Sequence, residues 1–340
     1  MSIIKVTHLT KTFKRQKRHS GFWGGMRTFF SNEYESKTAV DDISFEIDKG
    51  EVVGYIGPNG AGKSTSIKMM VGILVPSSGK VEVAGLVPYE NRIDNAQRIG
   101  VVFGQRTQLW WDIPVLETFK LLRHMYRVPE ARFKANLDLC YDILGIAEFA
   151  NTPVRQLSLG QRMRSDLAAA LLHNPEILYL DEPTIGLDVV VKKKIREFIE
   201  EINKQHQTTV ILTTHDMSDI EKLCSRVMVI DKGRIMYNGC LEELKQVYGS
   251  AETLTAELQG ERSEYEWDVL QQMGVTLVKF NGQKVELRYN RAEVKSSMVL
   301  KWLMERYEVK DFTVRETEIE EVIRRMYLGQ PTAAATFDER

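Results

Sequence analysis

The sequence predicts an α/β fold, in which a largely parallel β-sheet is covered by helices on both faces and is followed by a smaller α+β domain. Short strands without a polar face alternate with helical patterns, as at residues 177–180 and 208–212. Such strands are typical of parallel sheets that are buried on both faces. A glycine-rich turn joins one of these strands to a helix near residue 60. Beyond residue 250 the order of elements changes, which indicates a second domain.

Length and composition bound the class of protein. The chain has 340 residues, of which 43% are apolar and 27% charged, and this is enough for about two domains with cores of their own. A formal net charge of −1 gives no general attraction to nucleic acid or to an anionic membrane. Three scattered cysteines, Cys140, Cys224 and Cys240, favour a reducing compartment over a disulfide framework or a zinc site. No apolar run approaches the roughly 20 residues that cross a bilayer, so we expect a soluble protein.

The predicted elements follow in chain order. In the first domain, residues 1–247, strands are expected at residues 3–6, 40–47, 52–56, 80–83, 99–103, 177–180, 208–212, 227–230 and 234–237. Helices are expected after the glycine-rich turn and at residues 114–151, 158–173, 192–203 and 218–223, so residues 114–172 form a helical subdomain. In the second domain, residues 250–328, the order β-α-β-β-α-β with a final helix is typical of a ferredoxin-like domain. The small, polar tail at residues 329–340 is expected to be disordered.

A basic and aromatic insertion occupies residues 14–37 of the first domain. Six cationic residues stand against two glutamates there, a local charge of +4, and Trp23, Arg27 and Phe30 have helical spacing. A short amphipathic helix of this kind favours contact with a membrane surface or a partner protein. The alternatives are a helix that packs on the domain's own core, a mobile loop, and binding to single-stranded nucleic acid.

The glycine-rich turn has the spacing of the phosphate loop, G-x-x-x-x-G-K-[ST]. Its residues are Gly57, Pro58, Asn59, Gly60, Ala61, Gly62, Lys63, Ser64 and Thr65. Glycines let the backbone wrap closely around phosphate, so that consecutive N–H groups and a helix N-terminus point at the anion. Lys63 can reach the β- and γ-phosphates, and the Ser64 hydroxyl can bind Mg²⁺. The alternative, a tight turn with a surface lysine, does not explain the full motif in its strand-turn-helix context.

Two carboxylates, Asp181 and Glu182, follow the apolar strand at residues 177–180. Because a strand that ends beside the phosphate loop delivers its carboxylate to the metal, Asp181 is predicted to hold Mg²⁺, directly or through water. Glu182 points elsewhere and can orient or deprotonate an attacking water. Taken alone, the pair would indicate only a solvated loop.

A third motif opens the helix predicted from residue 158. Ser158 and Gln161 have the S-x-x-Q spacing of a capping box, which is a complete structural explanation. The same geometry suits phosphate binding, because free N–H groups and a hydroxyl meet at a helix N-terminus.

Further features complete an ordered set: Gln105 after a strand, the turn at residues 157–161 upstream of Asp181, Gly186-Leu187-Asp188, and His215 after two threonines. This set resembles the nucleotide-binding subunit of an ATP-binding cassette (ABC) transporter over about residues 3–245. The resemblance implies a P-loop cassette with a mixed core sheet, an antiparallel β subdomain and a helical subdomain. It also implies that the protein hydrolyses ATP with Mg²⁺.

In this family two cassettes dimerise head to tail around two ATP molecules, here expected as a homodimer or with a sibling cassette. The resemblance implies that Ser158, Gly160, Gln161 and Asp188 act on the ATP held by the other chain. It implies that Gln105, Ser64 and Asp181 contact Mg²⁺, that Glu182 and His215 act in hydrolysis, and that Phe13 stacks on adenine. The alternative for Phe13 is an ordinary core position.

The sequence departs from the family pattern at Leu159, where the family usually has glycine, while Ser158 and Gly160 remain. The run from Asp181 to Asp188 and the C-terminal extension look most like the ABC-2 exporter branch, which has separate membrane subunits. The resemblance therefore implies a peripheral protein at the cytoplasmic face of the cell membrane, with permease subunits as partners and no nucleic acid. Trp110 and Trp111 would be interface anchors, or they pack against the helical subdomain.

Two other classes of function are open to a chain with a phosphate loop. A soluble ABC ATPase that acts on nucleic acid or ribosomes would usually carry two cassettes or a long coiled coil, and neither is present in this sequence. A small-molecule kinase would explain the phosphate loop but would leave residues 157–161 and His215 without a role.

Overall fold

The structure, a computed structural model, describes residues 1–16, 34–104, 106–249, 251–259, 267–291 and 293–328. Most of the predicted insertion, Gln105 and the predicted tail lie outside the described residues. The chain divides into two compact units, Met1–Gly239 and Cys240–Arg340. The second unit begins before the predicted boundary near residue 248, because the helix Leu241–Tyr248 packs against the helix Ile319–Tyr327 of the same unit. No helix among the described residues is long and apolar enough to span a membrane.

The described strands of the first unit are β1 (Ser2–Gln16), β2 (Tyr34–Asp48), β3 (Val52–Ile56), β4 (Ser78–Val83), β5 (Ile99–Phe103), β6 (Ile177–Asp181), β7 (Thr209–Thr213), β8 (Arg226–Asp231) and β9 (Arg234–Cys240). Its described helices are α1 (Lys63–Met70), α2 (Arg92–Arg98), α3 (Val115–Met125), α4 (Glu130–Leu144), α5 (Leu159–Leu171), α6 (Val189–His206) and α7 (Met217–Leu223). Short 3₁₀ turns at Ile146–Glu148 and Val154–Gln156 link α4 to α5, and α3, α4 and α5 lie within the residues predicted to be helical.

The main sheet has the strand order β5-β6-β7-β3-β8-β9. Its first five strands pair in parallel, as predicted from their uniformly apolar sequences. The core around it is fully buried and includes Tyr55, Tyr179 and Ile211. Because β6 and β7 run in register, Asp181 lies beside Thr213 at the carboxyl end of the sheet, next to the loop that follows β3.

A second, antiparallel sheet of the same unit has the order β2-β1-β4. Here the predicted strand at residues 3–6 is too short. β1 continues to Gln16 and pairs with β2 through several register shifts, with Phe13 opposite Lys37. These bulges break the two-residue alternation that signals a strand, which explains why the sequence pattern ended early.

The second unit begins with α8 (Leu241–Tyr248) and continues with β10 (Ala251–Gln259), α9 (Trp267–Gln272), β11 (Val275–Phe280), β12 (Lys284–Asn290), α10 (Ser296–Arg306), β13 (Glu308–Glu316) and α11 (Ile319–Tyr327). From β10 onward this is the predicted order of elements. Its antiparallel sheet has the order β11-β12-β10-β13. One face of that sheet packs on a core that includes Leu254, Leu287 and Trp302.

Candidate nucleotide site

The loop between β3 and α1 has the close backbone packing that a phosphate loop requires. Gly62 has a φ of 114°, and a Cβ atom there would lie 2.5 Å from the carbonyl oxygen of Ala39. A Cβ atom at Gly57 would lie 2.3 Å from the carbonyl oxygen of Ile230. Neither position can therefore carry a side chain without moving backbone atoms. The glycines are fixed by how the loop packs as well as by its predicted ligand.

Lys63 begins α1 and lies against the loop that precedes it. Its side chain is only 7% exposed, and Nζ donates hydrogen bonds to the carbonyl oxygens of Gly57 and Pro58, at 2.5 and 3.1 Å. Burial lowers the pKa of Lys63, while the nearby carboxylates of Glu182 and Asp181 oppose that shift. The Lys63 ammonium group therefore lies at the centre of the loop.

Ser64, Asp181 and Thr213 form a hydrogen-bonded group at the carboxyl end of the sheet. Ser64 Oγ donates to Asp181 Oδ2 at 3.1 Å, and Thr213 Oγ1 donates to Asp181 Oδ1 at 2.6 Å. A hydroxyl and a carboxylate so placed fit Mg²⁺, which prefers oxygen ligands and is usually held by one or two protein groups together with substrate phosphates. Among the described residues, no group of three or more acidic, His or Cys side chains is arranged to hold a metal ion.

The backbone of Glu182 is held in place by the strands around it. Its backbone has a φ of 57°, and its N–H donates to the carbonyl oxygen and to Oγ1 of Thr213, at 2.9 and 3.2 Å. A Cβ atom at Gly104 would lie 2.4 Å from the Glu182 carbonyl oxygen, so β5 approaches closely. The carboxylate Oε1 lies 2.9 Å from Nε2 of His215, which is also 3.1 Å from Oδ1 of Asn59. Glu182 and His215 therefore meet beside the phosphate loop.

A cavity of about 660 Å³ opens beside these groups. It is lined by Phe13, Ser64, Thr65, Lys68, Ile73, Leu74, Phe103, Gly104, Arg106, Asp181 and Glu182. Phe13 also lines a neighbouring cavity of about 370 Å³, together with Gly60, Gly62 and Lys63 of the phosphate loop. Its ring is 40% exposed, so Phe13 lies at the rim and is not a core residue. A half-exposed ring beside a phosphate loop is suited to stacking on a base.

The turn at Ser158 is a helix cap with its own hydrogen bonds. Gln161 N–H donates to Ser158 Oγ at 3.2 Å, and Ser158 N–H donates to Gln161 Oε1 at 2.9 Å, which completes the capping box at the start of α5. Asp188 caps α6 without a reciprocal bond, accepting from the N–H groups of Val190 and Val191 at 2.9 and 3.0 Å. These side chains are therefore satisfied locally.

The turn at Ser158 also packs against the segment that begins α6. Leu159 is 40% exposed, and a Cβ atom at Gly186 would lie 3.3 Å from its Cδ2 atom. A Cβ atom at Gly160 would lie 3.3 Å from a methyl group of Val191, so the turn packs against the first turn of α6. The described hydrogen bonds join neither Ser158 nor Asp188 to the phosphate loop.

Two residues near the site were missed by the sequence analysis. The Thr213 hydroxyl supports both Asp181 and Glu182, but a threonine at a strand end carries no signal for that role. Asp166 of α5 is 5% exposed and accepts hydrogen bonds from Thr107 Oγ1 at 2.9 Å and from Gln108 N–H at 3.0 Å. Its burial raises its pKa to about 6. An acidic residue on the apolar face of a helix was the available signal.

The exposed tryptophans follow the same segment. Trp110 and Trp111 are 42% and 49% exposed, and the Arg162 guanidinium lies 5.8 Å from the Trp111 ring centre. Asp166 and Arg162 thus connect α5 to the segment after β5 at two points. Gln105, which begins that segment, lies outside the described residues.

Comparison with known proteins places the chain. A profile of the ABC transporter family matches residues 40–185. The chain is 36% identical to the ABC transporter ATP-binding protein NatA of Bacillus subtilis over 215 residues, which are 63% of this chain and 87% of NatA. It is 36% identical to the linearmycin resistance ATP-binding protein LnrL of Bacillus subtilis, over 62% of this chain and 67% of LnrL. It is also 38% identical to the methionine import ATP-binding protein MetN of Geobacillus kaustophilus, over 60% of each chain.

A solved structure gives the same result. The dimeric ATP-binding cassette MJ0796, in a post-hydrolysis state bound to ADP and Pi, superposes with a TM-score of 0.58 and 27% identity. The alignment covers 70% of this chain and 98% of that cassette. The predicted fold of the first domain is thereby confirmed, together with ATP and Mg²⁺ as its cofactors. The chain belongs to the ABC transporter family, in which it is an ATP-binding subunit that hydrolyses ATP.

Proposed function

We propose that two copies of this chain close head to tail around two ATP molecules and power export through separately encoded membrane-spanning subunits. The protein then works as a peripheral subunit at the cytoplasmic face of the cell membrane. ATP binding closes the pair and hydrolysis reopens it, because contacts to the γ-phosphate exist in only one of the two states.

Within one chain, the phosphate loop and its neighbours have distinct roles in this proposal. Residues 57–65 wrap the phosphates, with Lys63 on the β- and γ-phosphates and Phe13 on the adenine. Ser64 and Asp181 hold Mg²⁺, joined by Gln105, and the ion would neutralise charge on the phosphates. Glu182 accepts a proton from the attacking water, and His215, within 2.9 Å of Glu182, positions that water and the γ-phosphate.

The proposal rests on a contrast between two parts of the chain. The phosphate loop, Asp181 and Glu182 are joined in one site, whereas the turn at Ser158 is not part of it. The turn presents a helix N-terminus, a hydroxyl and a glycine, but the described hydrogen bonds do not connect it to its own phosphate loop. A helix N-terminus attracts anions. A second copy would supply the phosphate, with Ser158, Gly160 and Gln161 facing its γ-phosphate and Asp188 crossing the interface.

Export is supported by the name of LnrL, a resistance protein, and by the ABC-2 pattern of the sequence. MetN is named for import, so the direction of transport is the finer part of the proposal. The relatives give no support to the alternative of a soluble ATPase that acts on nucleic acid or ribosomes.

Mixing two inactive variants tests the shared site. Lys63→Ala removes the lysine of the phosphate loop, and Ser158→Asp places a negative charge against the partner's γ-phosphate while keeping a good helix cap. Each variant alone should retain at most about a tenth of the wild-type ATPase activity. In a mixed dimer one of the two sites combines an intact phosphate loop with an intact turn, so the mixture should regain activity, up to about a quarter of the wild-type rate if the sites act independently.

Differently tagged variants provide the second readout. If ATP brings the two tags together and activity returns, the head-to-tail dimer is supported. If the mixture neither associates with ATP nor regains activity, the shared site is refuted.

For the membrane subunits, the tagged chain is purified from detergent-solubilised membranes. A co-purifying multi-span protein supports the proposal, whereas recovery of ribosomes or DNA instead would contradict it.

A further inference from the structure

The outer strand β13 of the second unit is an exposed sheet edge. The strand order β11-β12-β10-β13 places β13 at one side of the sheet, with β10 as its neighbour among the described strands. All of its nine residues are exposed except Val309, which is half-buried. An edge strand presents unpaired N–H and C=O groups and is a template for another strand.

The two edges of this sheet are protected to different degrees. β11 has six residues and is interrupted by a register shift between Leu277 and Lys279. Bulges and lysines of this kind discourage pairing at an edge. β13 has a shift near Lys310, but from Asp311 to Glu316 it pairs with β10 without interruption. The longer regular edge is therefore the one left open.

The regular part of β13 is complementary to itself. If a second copy pairs antiparallel about Thr313, then Thr313 faces Thr313 of the second copy, and Phe312 faces its Val314. Asp311 then faces Arg315 of the second copy, and Arg315 faces its Asp311. Directly opposed aromatic and β-branched residues, and directly opposed opposite charges, each stabilise a strand pair.

The same residues lack such partners inside one chain. Asp311 lies opposite Glu257 of β10, a like charge, and Arg315 lies opposite Thr253. Neither Asp311 nor Arg315 makes an ion pair within the described part of the chain. Phe312 and Val314 are 41% and 37% exposed. A second copy would place Arg315 near the carboxylates of Asp311 and Glu257 of that copy, and would cover Phe312 and Val314.

We propose that β13 is an interface for a second copy of this chain, with antiparallel pairing about Thr313 that joins two four-stranded sheets into one of eight strands. This contact is separate from the ATP-dependent closure of the cassettes and needs no nucleotide. It would keep two chains close together while the cassettes are open, and so raise the effective concentration for the next closure.

Cysteine cross-linking of the full-length protein without nucleotide tests the register. Cys240→Ser serves as the background, because Cys140 and Cys224 are buried. Thr313→Cys puts two thiols opposite each other at the proposed two-fold axis, whereas Thr276→Cys on β11 is a matched threonine on the other edge. Mild oxidation should link the Thr313→Cys chains into dimers and leave the Thr276→Cys chains monomeric.

Charge reversal tests the pairing itself. In the Thr313→Cys chain, Asp311→Arg or Arg315→Asp opposes like charges twice, which should lower the rate of cross-linking about five-fold or more. The double reversal restores both pairs and should restore cross-linking, which also excludes misfolding as the cause. Equal cross-linking of both threonine variants, or single reversals without effect, would overturn the proposal. Because no ATP is present, these results do not depend on whether the cassettes close head to tail.

Discussion

The two motifs predicted to meet on one γ-phosphate are built in different ways within a single chain. At the phosphate loop, Lys63 and Ser64 begin α1, whereas Asp181 and Glu182 lie at the end of β6. Hydrogen bonds from Ser64 and with Thr213 of β7 tie these distant segments together. At the turn at Ser158, the side chains of Ser158 and Gln161 bond to each other's backbone N–H groups. One half is held by long-range contacts and the other by a local cap.

This difference teaches where each half is vulnerable. Side chains held by several strands keep a fixed geometry, so a change there should act on chemistry or on the fold of the sheet. A local cap tolerates other capping residues without loss of stability. At the turn, structure and function can therefore be separated by substitution. The following variants test the two halves of the site, in order of decreasing effect on ATPase activity.

Glu182→Gln should break the chemistry of the first half while keeping its shape. Glutamine cannot accept the proton of the attacking water, so we expect ATPase activity to fall about 100- to 1,000-fold, with ATP still bound. Steady-state hydrolysis and retention of labelled ATP on a sizing column measure the two effects. Glu90→Gln, at an exposed position of the same unit, is the control. Hydrolysis at the normal rate would disprove the assignment of Glu182.

Ser158→Asp should break the second half without unfolding it. Aspartate caps a helix as well as serine, so the free energy of unfolding should change by less than about 0.5 kcal/mol. Its charge opposes the γ-phosphate of the partner, and we expect activity to fall more than about ten-fold. Urea unfolding and ATPase assays are compared with those of Ser158→Thr, which keeps cap and hydroxyl. If the aspartate variant stays fully active, Ser158 has only its capping role.

Thr213→Val should show how far the first half depends on strand-to-strand bonds. The valine is nearly isosteric but removes the hydroxyl that bonds Asp181 at 2.6 Å and Glu182 N–H at 3.2 Å. We expect a loss of about 2 kcal/mol in stability and a several-fold lower affinity for Mg²⁺–ATP. Denaturant unfolding and nucleotide titration measure them. Thr213→Ser, which keeps the hydroxyl, should behave like the wild type.

Asp166→Asn should have the smallest effect on ATPase activity of these variants, and it addresses the link between α5 and the segment after β5. Burial raises the pKa of Asp166 from its ordinary 3.8 to about 6. The folded protein then holds this proton where the unfolded chain does not, so this group's stabilisation is greatest below pH 4 and declines as pH rises toward 6. Asparagine keeps the acceptor oxygen for Thr107 and Gln108 and should remove this decline, which amounts to about 1–3 kcal/mol between pH 4 and pH 6.

The measurement for Asp166 is urea unfolding of wild type and variant at pH 4, 5, 6 and 7. At neutral pH the asparagine variant should be the more stable of the two, because no buried charge remains. Equal pH slopes for the two proteins would show that Asp166 is already well solvated. Glu148→Gln, which removes an exposed acid of the same subdomain, is the control for loss of a surface charge.

Local patterns predicted most of the elements but not their full extent. The apolar strands β5, β6 and β7 were predicted within about one residue, because burial on both faces leaves a continuous apolar run. β1 was predicted too short, since its pairing with β2 is interrupted by bulges that erase the alternation. Helix α8 was not predicted, and residues 241–247 were assigned to the first domain, whereas α8 packs against α11 in the second unit.

The sequence alone determined the phosphate loop, the carboxylates at the end of β6, the capping box and the order of elements from β10 onward. These depend on the spacing between neighbours in the chain, which the sequence shows directly. Only the tertiary structure decided that Thr213 supports Asp181 and Glu182, that Asp166 is buried against Thr107, and that β13 is an open edge. Each of these depends on which distant segments become neighbours, and strand order and burial set that through the free energy of the whole fold.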